Sequence, residues 1–459
     1  SIDVDTASYS FVRRQLNRGL LPQKDAVRVE EMINYFDYAY PLPESRETPF
    51  RVTTELSPSP WAEGRELLHI GIKGYDVTPA ERPRSNLIFL LDVSGSMNSP
   101  DKLPLLKTSM KMLLESLRPE DTVGIVTYTG AAGKVLDPTP VKEKAKILEA
   151  LDRLQPHGST AGAEGIRQAY ELADANFDAE AVNRVILASD GDFNVGITST
   201  EELKDFVERK RKSGIYLSVL GFGQGNLNDQ LMQALAQNGN GVAAYIDTLG
   251  EARKVLVEEA SGTLFPIAKD VKIQVEFNPA TVAEYRLIGY ETRTLDREDF
   301  RNDKVDAGEL GSGHTVTAIY EITPVGGPVL VGESRYQQRS APAAATDVGD
   351  ELAFVKVRYK LPDEGTSRLI SIPVPAAPDL DVNRDSQSPE RVREARWATA
   401  VAAFGQILKG GPYTGDFDYD HVIALAQANK GDDPFGYRGE FIQLVRLAKT
   451  AAAMQQQER

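Results

Sequence analysis

The chain has no cysteine and only four histidines among its 459 residues. Without cysteine there are no disulfide bonds, thiolate zinc sites or cysteine nucleophiles. The histidines are scattered through the sequence and no H-E-x-x-H spacing occurs, so a histidine-based zinc site is not expected either.

Long apolar runs and excess positive charge are also lacking. No stretch of about 18 or more apolar residues occurs, so no transmembrane segment is predicted within the chain. The formal net charge is −15, and an acidic surface repels nucleic acid and anionic membranes. We therefore expect no nucleic-acid partner, and the charge favours cationic or metal-bridged partners. The sequence carries no signal for an oligomeric state.

The hydrophobic pattern changes its period along the chain. Residues 1–45 and 381–459 repeat apolar side chains at helical spacing, whereas residues 50–74 and the sequence after Thr263 alternate apolar with polar residues, as strands do. Between them, residues 86 to about 255 alternate nearly continuous apolar strands with amphipathic helices. This alternation predicts a doubly wound, mostly parallel sheet.

Strands 50–74 form too small a unit to be stable alone, and the nearest candidate partners follow residue 263. We therefore predict an α/β fold whose mostly parallel sheet is inserted into an antiparallel β-sandwich-like domain, with helical segments at both termini. The predicted division is 1–45 for the N-terminal helical segment, 46–85 for the first strands of the β domain, 86–260 for the α/β domain, 261–380 for the remainder of the β domain and 381–459 for the C-terminal helical region.

Three helices have predicted boundaries that a structure can test. Asp25 is expected to cap the helix DAVRVEEMINYFDYAY, and Ser388 followed by Pro389 is expected to begin the first C-terminal helix. The segment LGEARKVLVEEAS is expected to be one continuous helix at the end of the α/β domain.

Five oxygen-bearing side chains are expected to meet at one end of the parallel sheet. The loop DVSGS after the first α/β strand offers Asp92, Ser94 and Ser96, with Gly95 allowing a tight turn. Asp190 ends the strand RVILASD, and Thr160 lies in the loop PHGSTAGA. Ligands bind outside the carboxyl ends of strands in such sheets, and carboxylates and hydroxyls suit Mg²⁺ or Mn²⁺. One coordination position would remain open for the carboxylate of a partner.

These residues resemble the metal-ion-dependent adhesion site of von Willebrand factor type A domains. The resemblance covers roughly residues 86–255, and the family's metal-binding positions carry over as Asp92, Ser94, Ser96, Thr160 and Asp190. It implies a bound Mg²⁺, with Mn²⁺ or Ca²⁺ as alternatives, and a protein ligand that presents Asp or Glu to the metal. For the string DVSGS alone, a serine-rich turn without metal is the competing interpretation.

A narrower resemblance extends over the whole chain. The segments SIDVDTASYSFVRRQLN, EEMINYF and DGDFNVG and the helical tail look like bacterial exported proteins in which this domain is flanked by N-terminal and C-terminal domains of unknown function. It implies a location outside the cytoplasm, in the periplasm or at the cell surface, with a lipid anchor on the precursor that is not part of this chain.

Competing catalytic motifs are weak. Asp3-Val-Asp-Thr matches a phosphatase string, but no buried strand precedes it, so Asp5 or Thr6 is interpreted as a helix cap. Gly221-Phe-Gly-Gln-Gly lies too late in its unit for a dinucleotide site and predicts a turn. No P-loop or G-x-S-x-G occurs, and His157 is interpreted as a surface residue near the metal site.

The sequence thus predicts a non-enzymatic, metal-dependent protein-binding module for adhesion or assembly, with no catalytic residues. A chaperone-like scaffold component is one alternative, and a metal-dependent hydrolase is the other.

Overall fold

The computed structural model describes residues 2, 5–45, 47–78, 81–130, 132–159, 162–191, 199–223, 229–259, 264–291, 294, 299–302, 307–331, 351–362, 364–376 and 388–457. The chain forms two compact units. The α/β unit is Asp76–Pro266, and the split unit joins Ser1–Tyr75 to Ile267–Arg459. Among the described residues, no helix is long and apolar enough to cross a membrane.

The N-terminal part of the split unit contains helices α1 (Ala7–Asn17) and α2 (Val29–Ile33) and strands β1 (Phe50–Pro58) and β2 (Glu66–Gly74). The predicted start of the second helix at Asp25 is wrong, because Asp25 lies in a separate 3-10 turn. The Arg28 backbone N–H donates to the Ser8 hydroxyl at 2.9 Å, which holds Arg28 in an extended conformation until the helix begins at Val29.

The α/β unit is built on one six-stranded sheet with the order β5-β4-β3-β6-β7-β8. Its strands are β3 (Ser85–Asp92), β4 (Thr122–Tyr128), β5 (Ala132–Pro140), β6 (Val182–Ser189), β7 (Ile215–Phe222) and β8 (Ala243–Ile246). All pairs are parallel except β4 with β5. Every residue of β3 and β6 is buried, as expected for central strands covered on both faces. The predicted doubly wound, mostly parallel sheet is confirmed.

In the part of this unit that the structure describes, the α-helices are α3 (Leu103–Ser116), α4 (Lys144–Asp152), α5 (Gly162–Ala175), α6 (Thr200–Lys212), α7 (Asp229–Asn238) and α8 (Leu249–Arg253). The last one differs from the prediction of a continuous α-helix. After Arg253 the chain widens into a π-helical turn at Lys254–Glu258, in which the Glu259 N–H donates to the Lys254 carbonyl at 2.9 Å. An ion pair between the Lys254 and Glu259 side chains spans this wider turn.

The described residues of the rest of the split unit form six strands and three helices. The strands are β9 (Pro266–Phe277), β10 (Val282–Leu287), β11 (Gly308–Gly311), β12 (Thr315–Pro324), β13 (Glu351–Lys360) and β14 (Arg368–Pro375). The helices are α9 (Pro389–Leu408), α10 (Tyr419–Ala428) and α11 (Tyr437–Gln457). Ser388 caps α9 by accepting from the Arg391 N–H, and Pro389 occupies its first turn, as predicted.

The strands of the split unit form two four-stranded sheets, β1-β2-β12-β10 and β11-β9-β13-β14. In the first, β12 pairs antiparallel with β2, with Thr315 opposite Lys73. Sequence before and after the α/β unit therefore shares one sheet, as the period-two pattern predicts. β11 was not predicted, since a four-residue strand with glycine at both ends carries little hydrophobic pattern.

Helices from both ends of the chain pack into a common core of the split unit. Trp397 of α9 is completely buried, with its ring 5.2 Å from that of Phe36 and 5.3 Å from that of Phe441. Leu67 of β2 and Ile319 of β12 belong to the same core. The predicted terminal helical segments thus cover the first sheet.

Candidate metal site

Two aspartates lie side by side at the carboxyl ends of neighbouring strands. β3 and β6 are parallel, and Leu91 pairs with Ala188, so Asp92 is level with Ser189 and Asp190 follows directly. Both carboxylate residues are buried, with Asp92 0% and Asp190 3% exposed. The position is the sheet edge at which α/β proteins bind ligands.

Asp92 is held by groups of its own loop and of β6. Its Oδ1 accepts from the Ser94 N–H at 2.8 Å, and its Oδ2 accepts from the Ser189 hydroxyl at 3.3 Å. The Ser94 and Ser96 hydroxyl oxygens lie 3.0 Å apart. The structure thus brings together Asp92, Ser94, Ser96 and Asp190, and adds Ser189, which sequence reasoning missed although it directly precedes Asp190.

The loop after β3 is fixed to its neighbours through the backbone. The His157 N–H donates to the Val93 carbonyl at 2.8 Å, and the Gly95 N–H donates to the Gly158 carbonyl at 3.0 Å. Gly158 has a φ of +72°, and a Cβ there would lie 2.4 Å from the Thr129 hydroxyl oxygen. Only glycine suits this approach. These backbone contacts therefore fix the loop that carries the Ser94 and Ser96 hydroxyls.

Thr160, the fifth predicted metal residue, lies outside the described residues, so its place in the site stays a prediction. His157 is exposed, and its Nδ1 lies 2.9 Å from the Gln155 carbonyl oxygen. The phosphatase string is described only from Asp5 onward. Thr6 occupies the N-cap position of α1, but its side chain makes no capping hydrogen bond. Of the glycine-rich string, Gly221 lies in β7 and Gly223 has a φ of +82°.

The electrostatics of the site favour a cation. Burial, with a smaller contribution from the neighbouring Asp190 charge, raises the pKa of Asp92 to about 6, although hydrogen bonds from Ser94 and Ser189 act in the opposite direction. Burial also raises the pKa of Tyr128 well above its ordinary value, and the charge of Asp92 adds to this. A buried pair of carboxylates carries an unfavourable charge that a positive ion would offset.

One positive group is already present. The Lys102 ammonium donates to Asp190 Oδ2 at 2.9 Å and to the Ser96 carbonyl at 3.0 Å. Lys102 lies just before α3, where the sequence alone gives no sign that it reaches the end of β6. Sequence reasoning therefore missed it.

The side chains present fit a hard divalent cation. Carboxylate and hydroxyl oxygens are ligands of the type that Mg²⁺, Mn²⁺ and Ca²⁺ accept. Within the described ranges, no group of three or more His, Asp or Glu side chains could hold a metal. A metal at Asp92 and Asp190 would therefore depend on the serine hydroxyls and on water as well as on the carboxylates.

Three protein-family models match the chain. A model described as von Willebrand factor matches residues 1–69, the von Willebrand factor type A domain model matches residues 87–192, and a model described as uncharacterized protein YfbK, C-terminal, matches residues 262–451. The last two fall on the α/β unit and on the second part of the split unit.

Known proteins match over different lengths. Uncharacterized protein YfbK of Escherichia coli (strain K12) is 44% identical over 454 residues, which cover 98% of this chain and 77% of that protein. Inter alpha-trypsin inhibitor, heavy chain 4, of Mus musculus is 28% identical over 169 residues, covering 35% of this chain and only 18% of that protein.

Among solved structures, von Willebrand factor type A from Catenulispora acidiphila is 14% identical, covers 83% of this chain and 87% of that chain, and has a TM-score of 0.44. The family assignment rests on the sequence relatives. Because the Escherichia coli protein matches nearly the whole chain at 44% identity, this chain belongs to the family of von Willebrand factor type A domain proteins to which YfbK also belongs.

Proposed function

We propose that the protein is a non-enzymatic, metal-dependent binding module for adhesion or assembly, with Mg²⁺ held by Asp92, Ser94, Ser96, Thr160 and Asp190. The observation that carries the proposal is the convergence of two buried carboxylates on two serine hydroxyls 3.0 Å apart. This convergence lies on a backbone already fixed by hydrogen bonds from Gly95 and His157.

Each described residue would have a distinct role. The Ser94 N–H donates to Asp92 and so fixes the orientation of its carboxylate group. Ser94 and Ser96 offer hydroxyl oxygens, and Asp190 offers a second carboxylate from the neighbouring strand. A bound Mg²⁺ would supply a Lewis-acidic position for an Asp or Glu side chain of a protein partner. Mn²⁺ and Ca²⁺ remain alternatives for the same site.

Binding is favoured over catalysis by the groups found near the metal site. The described residues there are carboxylates, hydroxyls and one lysine, and the exposed His157 ring contacts its own loop at the Gln155 carbonyl. Among the described residues, no histidine is hydrogen-bonded to Ser94 or Ser96. Neither serine is therefore paired with a histidine base, as a serine nucleophile would require. Assays for phosphatase and esterase activity with Mg²⁺ and Mn²⁺ test the hydrolase alternative, for which we expect no turnover.

The proposed location is outside the cytoplasm, in the periplasm or at the cell surface, with a lipid anchor on the precursor. It is supported by the resemblance of the whole chain to bacterial exported proteins. Fractionation of cells that express the full-length precursor tests it, because a cytoplasmic pool alone would contradict it.

Isothermal titration of the purified chain with Mg²⁺, Mn²⁺ and Ca²⁺ tests the metal site. We expect one site per chain, and we expect Asp92→Asn to weaken binding by at least about tenfold, since it removes a charged ligand. Asp121→Asn is the matched control. Asp121 is also buried in this unit but lies at the start of β4, where it accepts from the Ser85 and Arg118 N–H groups.

Binding of none of the three ions to the wild-type chain would contradict the proposal. So would equal affinity in the wild type and Asp92→Asn. Where the metal binds, capture of partner proteins from a periplasmic extract should depend on Mg²⁺ and reverse with EDTA. Retention of a single transient partner supports adhesion, whereas a stable multiprotein complex supports the scaffold alternative.

A further inference from the structure

We propose that Lys102 is an internal counterion that competes with the divalent metal for Asp190, so that metal binding requires the lysine ammonium to leave the carboxylate. The inference rests on the proposed metal site and concerns its regulation.

The Lys102 ammonium contacts the same carboxylate that a metal ion at the proposed site would contact. It donates to Asp190 Oδ2 at 2.9 Å and to the carbonyl of Ser96, a residue of the proposed metal loop, at 3.0 Å. The Asp190 side chain is only 2% exposed and that of Lys102 is 17% exposed. The pair is therefore largely shielded from solvent, and charges interact more strongly in such a shielded position than in water.

The aliphatic part of Lys102 lies in a slot that another strand provides. A Cβ on Gly223, just after β7, would lie 2.6 Å from both Cγ and Cε of Lys102, so only glycine leaves room for the stem. The Gly223 carbonyl accepts from the buried Tyr245 hydroxyl at 2.8 Å, which fixes this glycine in place. Gly223 thus leaves room for the lysine stem.

Charge explains why lysine and metal exclude each other. Both depend on the negative charge of Asp190, and two cations within a few ångströms repel. A lysine has a single compact charge on a flexible stem, so it can move its ammonium to solvent while the stem remains on apolar surface. The apparent metal affinity is then lowered by the fraction of molecules in which Lys102 holds Asp190.

A second lysine of the same helix region shows the contrast. Lys107 of α3 donates to the backbone carbonyls of Asp152 and Leu154 at 2.9 and 3.0 Å, which ties α3 to the end of α4. Carbonyl contacts of this kind join secondary-structure elements. The contact of Lys102 with a carboxylate of the proposed metal site instead neutralises a charge that a metal would also neutralise.

Titration with Mg²⁺ alone, at fixed ionic strength, tests the inference in the whole chain. Lys102→Met keeps the stem and removes the charge, and we expect it to tighten Mg²⁺ binding by about tenfold or more. Lys102→Arg keeps the charge and should stay within about twofold of the wild type. Lys111→Met is the matched control, because Lys111 lies on α3 but pairs at 2.6 Å with Asp152. Lys102→Gln provides a second neutral variant should the Met variant not fold.

Thermal unfolding gives an independent measurement. In EDTA, Lys102→Met should lower the Tm because the buried Asp190 carboxylate loses its counterion, and Mg²⁺ should raise its Tm more than that of the wild type. Equal or weaker Mg²⁺ affinity in Lys102→Met would overturn the inference and leave the metal site intact. Binding by neither protein would overturn the metal site and the inference together, whereas binding by both proteins with higher affinity in Lys102→Met would support both.

Discussion

Both units bury carboxylates, but they neutralise them differently. In the split unit, Glu394 accepts from the Arg438 guanidinium at 2.6 and 3.0 Å, and Glu321 accepts from Arg286 at 2.7 Å. In the α/β unit, Asp92 accepts from a backbone N–H and a serine hydroxyl. A planar, permanently charged guanidinium neutralises the carboxylate with which it pairs. Amide and hydroxyl donors orient a carboxylate without cancelling its charge. The arginine-paired Glu394 and Glu321 therefore stabilise the fold, whereas Asp92 keeps a charge that a bound cation would balance.

The largest effect is expected from breaking the ion pair between Arg438 and Glu394. Arg438→Met leaves Glu394 charged and buried, and it removes the guanidinium that lies 4.9 Å from the Trp397 ring centroid. Loss of one partner of a buried pair costs about 3–5 kcal/mol. Urea unfolding followed by hydrogen exchange in α9 measures this cost. The double variant Glu394→Leu with Arg438→Met should recover much of it, and a cost under about 1 kcal/mol would remove the distinction between the two kinds of acid.

The next prediction separates the units by their response to acid. Burial lowers the pKa of His69, in β2, to about 4, below its ordinary value of 6.5. The unfolded chain therefore takes up a proton at a higher pH than the folded chain, and stability is lost as pH falls from about 6.5 to about 4. At about 1.4 kcal/mol per pKa unit, the loss reaches about 3 kcal/mol.

Hydrogen exchange across residues 66–74 between pH 7.5 and pH 4.5 measures this loss. His69→Gln keeps a hydrogen-bonding group near the Thr399 hydroxyl, which lies 3.0 Å from Nε2 in the native chain. The variant should show a flatter pH dependence. An unchanged slope in His69→Gln would assign the acid sensitivity to other groups.

The smallest effect has the opposite sign. The pKa of Asp92 is raised from 3.8 to about 6, so the neutral carboxyl favours the folded state and this stability is lost as pH rises through about 6. In EDTA at pH 7.5, Asp92→Asn should therefore stabilise the α/β unit by about 1–3 kcal/mol. Thermal unfolding measures the gain, which should shrink as the pH falls through about 6 and disappear only below about pH 3.8. A loss of stability at pH 7.5 would place Asp92 among the structural acids.

The sequence predicted the fold well where hydrophobic pattern decides the structure. β3 and β6 are mostly apolar and are buried along their whole length, and Ser388 with Pro389 marks the start of α9 correctly. The errors lie at helix ends, where individual hydrogen bonds and ion pairs accompany a departure from the regular helix. Ser8 holds Arg28 extended and delays α2, and the turn after Arg253 becomes π-helical. The hydrophobic period of the sequence indicates neither the Ser8–Arg28 hydrogen bond nor the π-helical turn.

Part of the site could be predicted because the hydrophobic pattern predicts the strands that carry it. Asp92, Ser94, Ser96 and Asp190 follow strands whose ends meet at one edge, so strand order is enough to bring them together. Lys102 and Gly223 meet only through the packing of the loop before α3 against the end of β7. The glycine after β7 was the available signal, since a glycine at a strand end often marks a close approach.

The pairing of Lys73 with Thr315 bears on how the chain acquires its structure during synthesis. At translation rates of about 5–20 residues per second, β2 would be complete on the order of ten seconds or more before its partner β12 is made. Throughout that interval the apolar side chains of β2, such as Leu67 and Ile70, lack the cover they have in the finished sheet. The α/β unit draws its sheet entirely from residues between β2 and β12, so it is the part of the nascent chain that can complete its folding first.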